Sequence, residues 1–91
     1  EYGILMPQSL GFDELRVEAF MLATFDYFLN TKVSWLGYPA DENRLVQAWA
    51  WYSLDDDHFE GYNSYSHLFN PTTKQLTALG RAYRDYTASL P

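Results

Sequence analysis

The 91-residue chain carries 6 basic and 12 acidic residues, which gives a net charge of −6, and 19% of its residues are aromatic. This composition excludes an intrinsically disordered segment, because such segments have few aromatic residues and low hydrophobicity. It argues against a nucleic-acid partner, since phosphate binding depends on clusters of Lys and Arg. No run approaches the roughly 20 apolar residues of a membrane span. Without cysteine, the chain has no disulfide, no thiolate zinc site and no cysteine nucleophile.

The first half of the chain predicts a strand end and a helix. Residues 2–6 are a short apolar run closed by Pro7, which is typical of the tail of a buried strand. The run looks cut off on its N-terminal side, and we expect the chain to be a fragment of a larger domain. Residues 11–29 predict a helix, with Asp13 and Glu14 in its first turn, where carboxylates complement the helix dipole. From residue 19 onward this helix is apolar on nearly every side, so it needs cover on several sides.

The middle of the chain predicts a loop over residues 32–43 and then a strand over residues 44–52. Strand alternation places the residues in two sets, Leu45, Gln47, Trp49 and Trp51 on one face, and Val46, Ala48, Ala50 and Tyr52 on the other. Both sets consist mainly of apolar side chains, so neither is typical of a face exposed to solvent. Strands that are apolar on both faces are typical of parallel sheets covered on both sides.

The last part predicts a long irregular stretch over residues 53–77, then a helix. The stretch contains the acidic run 55–57 and a turn at residues 70–73. Thr77 is expected to cap the helix, whose apolar stripe consists of Leu79, Tyr83, Tyr86 and Leu90. The order strand, helix, strand, helix predicts a parallel sheet. Two strands cannot bury both of their faces alone, which is the second argument for a fragment.

Three segments together resemble the clan A glycoside hydrolases, which are (β/α)8 barrels. Glu1-Tyr2-Gly3 resembles the Thr-Glu-Phe/Tyr-Gly signature that ends their seventh strand. Residues 48–54, Ala-Trp-Ala-Trp-Tyr-Ser-Leu, are similar to their eighth strand. Residues 68–73 and 76–83 resemble their closing segment, with Asn70 where the family has Asp and Ala78 where it has Pro.

The resemblance implies an α/β fold that is the C-terminal quarter of such a barrel: the end of strand seven, helix seven, strand eight and helix eight. It implies that Glu1 is the catalytic nucleophile of a secreted, retaining glycosidase acting on a β-linked polysaccharide or oligosaccharide. Barrel active sites lie at the C-terminal ends of the strands. Retaining enzymes also need an acid/base carboxyl about 5–5.5 Å from the nucleophile. In the family that group lies on the fourth strand, so it would belong to the part of the barrel missing from this chain.

Three further residues are expected to contact the sugar. Trp51 is the preferred stacking platform, on the interpretation that it points into the barrel while Val46, Ala48 and Ala50 face the helices. Tyr52 is the alternative platform if the strand phase slips by one residue. Asp55 could accept a hydrogen bond from a sugar hydroxyl.

The sequence gives little support for a metal site or for a serine triad. The run Asp55–Asp57 with His58 and Glu60 lacks the spacing of a calcium loop, so a solvated loop is favoured, and we expect no metal and no cofactor. A triad of Ser53, His58 and Asp55 lacks a nucleophile elbow. His67 is interpreted as structural. Two other classes stay open: a barrel that binds carbohydrate without catalysis, and a self-sufficient small α/β interaction domain.

Overall fold

The computed structural model describes residues 1–56 and 65–91, within which two α-helices and one two-stranded antiparallel hairpin form. Helix α1 spans Glu14–Asn30, and helix α2 spans Ala78–Ala88. Strand β1 is Phe69–Asn70 and strand β2 is Gln75–Leu76. The expected mixed α/β class is therefore confirmed, although these elements are too few to show a quarter of a barrel.

Helix α1 begins three residues later than predicted because Asp13 is its N-cap. The Asp13 carboxylate accepts a hydrogen bond from the Arg16 backbone N–H at 2.9 Å, which satisfies one of the unpaired donors of the first turn. Val17, Met21 and Phe25 recur every four residues and are buried. This stripe forms the centre of the core, which also contains Ile4, Trp51 and Leu79.

Helix α2 confirms the predicted cap and most of the predicted stripe. The Thr77 hydroxyl accepts a hydrogen bond from the Gly80 N–H at 3.0 Å. Tyr83 and Tyr86 both lie against Phe25 of α1, with ring centroids 5.5 Å apart in each pair. The last member of the stripe, Leu90, lies beyond the helix and is 41% exposed.

The predicted turn at residues 70–73 is present, but it closes an antiparallel hairpin rather than a loop. Phe69 pairs with Leu76 and Asn70 with Gln75. The Asn70 side-chain carbonyl accepts hydrogen bonds from the N–H groups of Thr72 and Thr73, at 2.9 and 3.2 Å. Such an Asx turn reverses the chain without help from distant residues.

The predicted parallel pairing is confirmed at a single residue pair, Tyr2 with Trp51. The Tyr2 N–H donates to the Ala50 carbonyl at 3.0 Å, and the Tyr52 N–H donates to the Tyr2 carbonyl at 2.7 Å. Regular strands over residues 2–6 and 44–52 are not formed, so that part of the prediction is wrong. A strand needs a continuous ladder, and in the described residues the parallel ladder does not extend beyond this pair.

The predicted assignment of faces is also wrong. The Trp49 ring packs on Phe25 and Phe28 of α1, at centroid distances of 5.8 and 5.0 Å. Ala48 and Ala50, which were expected to face the helices, are exposed. The reason is the size of the side chains. Large aromatic rings cover the broad apolar surface of α1, whereas alanine side chains are too small to fill that space.

Residues 32–43 form the predicted loop, which includes a 3-10 turn at Pro39–Asp41. The Arg44 guanidinium ties this loop to the end of α1, because it donates to the Leu29 carbonyl and to the Asp41 carboxylate, at 2.8 Å each. Asp41 thereby raises the pKa of Arg44 further above its usual value.

The chain is more extended than a self-contained domain of its length. Its radius of gyration is 14.8 Å, against about 12 Å expected for 91 residues. Its accessible surface is 6251 Å², against about 5,500 Å² for a compact protein of this mass. Trp35 and Leu15 are 86% and 77% exposed. In the described part of the chain, neither helix has the length and apolar character needed to cross a bilayer.

Candidate functional site

Glu1 and Tyr52 line one open cleft of about 360 Å³, together with Tyr2, Gly3 and Leu5. We call this the Glu1 cleft. It lies beside the parallel pair of Tyr2 with Trp51, which brings the start of the chain against residues 50–52. Two residues that were expected from the sequence to contact the sugar therefore share one cleft, although they are 51 positions apart along the chain.

Tyr2 anchors the residue next to Glu1 in the core. Its ring lies edge-on to Phe28 and Trp51, with both centroid distances 5.3 Å. Its phenol hydroxyl forms a hydrogen bond with the hydroxyl of Thr24 on α1. Burial raises the pKa of Tyr2 above its usual value, against an opposing effect of the Thr24 hydrogen bond, so the phenol stays neutral at physiological pH.

Gly3 lets the two segments approach each other closely. A β-carbon at residue 3 would lie 2.2 Å from the Tyr52 carbonyl oxygen and 3.2 Å from its carbonyl carbon. No side chain fits in that space, because the obstacle is backbone rather than a flexible side chain. The glycine of the Glu-Tyr-Gly sequence thus has a steric role at the base of the cleft.

Trp51 lies behind the Glu1 cleft and not in it, which corrects the expected inward orientation. Its indole is 8% exposed, packs against Tyr2 and Phe20, and donates its Nε1–H to the Ser66 carbonyl at 2.9 Å. An enclosed ring offers no free face for stacking. The neighbouring Tyr52 is half-buried and lines the cleft, and its role as the alternative platform stays a prediction. The peptide bond between Tyr52 and Ser53 is cis.

Asp55 does not join the Glu1 cleft. It is exposed and lines a separate depression of about 280 Å³ with His67, Asn70 and Thr77. A sugar bound between Glu1 and Tyr52 would have to extend into this second depression to reach the Asp55 carboxylate.

Of the triad drawn from the sequence, the structure describes Ser53 and Asp55. Ser53 is 5% exposed, and its hydroxyl lies 3.1 Å from Nδ1 of His67. The hydroxyl also accepts a hydrogen bond from the Asp56 N–H at 3.0 Å. These contacts agree with the structural interpretation of His67. The third triad residue, His58, lies outside the described residues.

Of the acidic run, the structure describes Asp55 and Asp56. Asp57, His58 and Glu60 lie outside the described residues, so the solvated-loop expectation stays a prediction. Across residues 1–56 and 65–91, no three His, Asp or Glu side chains are grouped in a way that could hold a metal ion.

Sequence reasoning missed Ser66, which is 1% exposed and contacts both segments of the cleft. Its hydroxyl donates to the Ile4 carbonyl, and its carbonyl accepts the Trp51 indole N–H. A single serine in an irregular stretch has no periodicity or motif, so no pattern in the sequence marks it.

Comparison of the chain with protein-family models, with curated proteins and with solved structures finds no match. The residues of the Glu1 cleft and the motifs that contain them are therefore what points to a function.

Proposed function

We propose that the chain is part of the catalytic (β/α)8 barrel of a secreted, retaining glycoside hydrolase that cleaves β-glycosidic bonds in a polysaccharide or oligosaccharide. The observation that carries the proposal is the meeting of Glu1 and Tyr52 in one cleft. The Glu-Tyr-Gly sequence and the segment of residues 48–54 both resemble clan A glycoside hydrolases, and the cleft is where these two segments come together.

In this mechanism Glu1 is the nucleophile. Its carboxylate attacks the anomeric carbon of the sugar, and the bond from that carbon to the glycosidic oxygen breaks. A second carboxyl group, from outside this chain, protonates the departing oxygen. The resulting glycosyl ester on Glu1 is then attacked by water, which loses its proton to the second carboxylate. The product sugar keeps its anomeric configuration, and both carboxyl groups return to their starting states.

Tyr52 is the sugar platform of the proposal. The C–H faces of a pyranose ring stack on flat aromatic rings, and Tyr52 is the aromatic residue beside Trp51 that lines the cleft, whereas the Trp51 ring is buried. The cleft volume of about 360 Å³ lies at the lower end of the range of about 300–1,000 Å³ that is usual for small-molecule sites. The net charge of −6 suits a neutral sugar better than an anionic substrate.

The loose fold supports a larger catalytic domain. The radius of gyration is larger than that of a compact domain, and many large apolar side chains are exposed to solvent. Soluble proteins seldom leave such surface open, because water contact with apolar groups is unfavourable. The remaining strands and helices of a barrel would cover it, and they would also supply the second carboxyl group.

The test compares Glu1→Ala with Glu14→Ala in the full-length protein that contains this chain. Glu14 is an exposed carboxylate in the first turn of α1, so its loss controls for charge. With an activated aryl β-glycoside, Glu1→Ala should lower turnover by several orders of magnitude, and Glu14→Ala should not. Azide should restore part of the rate of Glu1→Ala and give a glycosyl azide of inverted configuration. Near-normal turnover of Glu1→Ala would overturn the proposal. Binding of a β-glucan without turnover, dependent on Tyr52 but not on Glu1, would identify a non-catalytic carbohydrate-binding barrel.

A further inference from the structure

We propose that Ser66 is a positioning residue that holds the segment bearing Glu1 against the segment bearing Tyr52. The consequence for turnover depends on the proposed function, whereas the structural role does not. Ser66 comes from a third part of the chain, just before the hairpin, and touches both segments from inside the core.

The contacts of Ser66 join the two sides of the cleft. Its hydroxyl donates a hydrogen bond to the carbonyl of Ile4, three residues after Glu1. Its carbonyl accepts the Trp51 indole N–H at 2.9 Å and the Ser53 backbone N–H at 3.4 Å. Trp51 and Ser53 are the two neighbours of Tyr52. One residue is therefore bonded to the chain on both sides of the cleft.

Burial makes these bonds difficult to replace. Ser66 is 1% exposed and Ile4 is 8% exposed, so water has little access to the Ile4 carbonyl if the serine hydroxyl is removed. A buried carbonyl that loses its donor bears the full cost of its desolvation. The segment bearing Glu1 is then expected to shift or open in search of another donor.

The backbone alone gives the cleft little support. In the described residues, the parallel contact between the two segments consists of one residue pair with two hydrogen bonds, from Tyr2 N–H and Tyr52 N–H. This pair joins the two backbones at a single position. Ser66 adds a second point of attachment at Ile4, two residues along the same segment. With two points of attachment, the segment bearing Glu1 is held more firmly against the segment bearing Tyr52 than with one.

The position of the Glu1 carboxylate relative to the bound sugar affects the rate of catalysis. A displacement of about 1 Å in a catalytic group can cost on the order of 100-fold in rate. Removal of the Ser66 hydroxyl should therefore lower kcat by about 10- to 100-fold, with a smaller change in KM, because the nucleophile stays present but is misplaced.

The experiment uses four variants of the full-length protein. Ser66→Ala removes the hydroxyl. Ser66→Thr and Ser66→Val have nearly the same shape, but only threonine keeps the hydroxyl, so this pair separates the hydrogen bond from packing. Asp13→Ala is the control for stability, since it removes a helix cap on α1 without touching the Glu1 cleft.

Hydrogen exchange measured by mass spectrometry reads the structure without any need for activity. In Ser66→Ala and Ser66→Val, peptides that contain Tyr2 and Tyr52 should exchange about tenfold faster than in the wild type, as expected for loss of a buried hydrogen bond. Ser66→Thr and Asp13→Ala should keep exchange near the wild-type rate in those peptides. If Ser66→Ala does not fold, the Thr and Val pair gives the same comparison. Equal exchange in Ser66→Val and Ser66→Thr would overturn the proposal.

Kinetics then test the consequence. If the wild type is an active glycosidase, kcat should fall in Ser66→Val and be restored in Ser66→Thr, while Asp13→Ala keeps it. Equal kcat values in Ser66→Val and Ser66→Thr would reject the positioning role even in an active enzyme. A wild type with no glycosidase activity would reject the proposed function, and the exchange rates would still decide whether Ser66 joins the two segments.

Discussion

Replacing Gly3 with alanine should destabilise the protein by about 2–4 kcal/mol. The added β-carbon would lie 2.2 Å from the Tyr52 carbonyl oxygen, and forcing extra volume into a packed site typically costs about 1–3 kcal/mol. The clash can be relieved only if the two backbones separate, which weakens the hydrogen bonds that join Tyr2 to Ala50 and Tyr52. Each such bond contributes about 0.5–1.5 kcal/mol, which accounts for the upper part of the range.

Urea denaturation of the full-length protein measures this effect as a shift of the midpoint at an unchanged slope. Gly11→Ala is the matched control, because Gly11 has a φ of +92° and its nearest obstacle is the flexible end of the Arg16 side chain, at 3.0 Å. Its cost should come from the left-handed backbone alone, about 1–2 kcal/mol, and the Glu1 cleft should keep its geometry. A free energy of unfolding for Gly3→Ala within about 0.5 kcal/mol of the wild type would refute the close approach at the cleft.

Trp51 and Tyr52 should respond differently to truncation. Trp51→Ala should lower the free energy of unfolding by about 3–5 kcal/mol, because it empties a buried site. Tyr52→Ala should instead weaken oligosaccharide binding by about 1–3 kcal/mol, the range found for other aromatic stacking platforms. Calorimetry of unfolding and of sugar binding measures both quantities, and a loss of binding in Trp51→Ala with a loss of stability in Tyr52→Ala would contradict these assignments. The isolated 91-residue chain should bind a hydrophobic dye and scatter light, since residues such as Trp35 are exposed; a compact monomer that unfolds cooperatively without dye binding would contradict this. Burial and a 2.7 Å hydrogen bond to Asp26 raise the pKa of Tyr86 to about 12, above the value of about 10 expected in the unfolded chain. The stability from this bond should therefore be complete below about pH 10 and be lost as the pH rises through 12, with a late phenol ionisation in ultraviolet titration that Tyr86→Phe lacks.

The helices could be predicted because their signals are local. The Asp13 and Thr77 caps and the stripe that begins at Leu79 each involve residues within a few positions of one another. The turn at residues 70–73 was found for the same reason, since the Asn70 side chain bonds to its own neighbours. The hairpin around it was missed, because strands of two residues are too short to show alternation.

Alternation separated residues 45–52 into two sets, but it could not show which set faces α1. Both sets contain apolar side chains, so the pattern is symmetric, and only the bulk of the facing helix surface decides between them. The structure places Trp49 and Trp51 against α1, opposite to the prediction. For this reason the proposal makes Tyr52, and not Trp51, the sugar platform.

Only part of the candidate site could be predicted from the sequence. Glu1 and Tyr52 came from motifs that resemble a known family, whereas the role of Ser66 depends on contacts with Ile4 and Trp51, 62 and 15 residues away along the chain. Contacts of this kind arise from tertiary structure, so one sequence read alone does not contain them.

The nucleophile role of Glu1 is tested most directly by a mechanism-based fluorosugar inhibitor. The fluorine slows both formation and hydrolysis of the glycosyl ester, and a good leaving group speeds formation alone, so the covalent intermediate accumulates and can be located by peptide mapping. Incubated with the full-length protein, it should label the peptide that contains Glu1, and Glu1→Ala should abolish the label. An active enzyme that carries the label on a different carboxylate would contradict the assignment of Glu1.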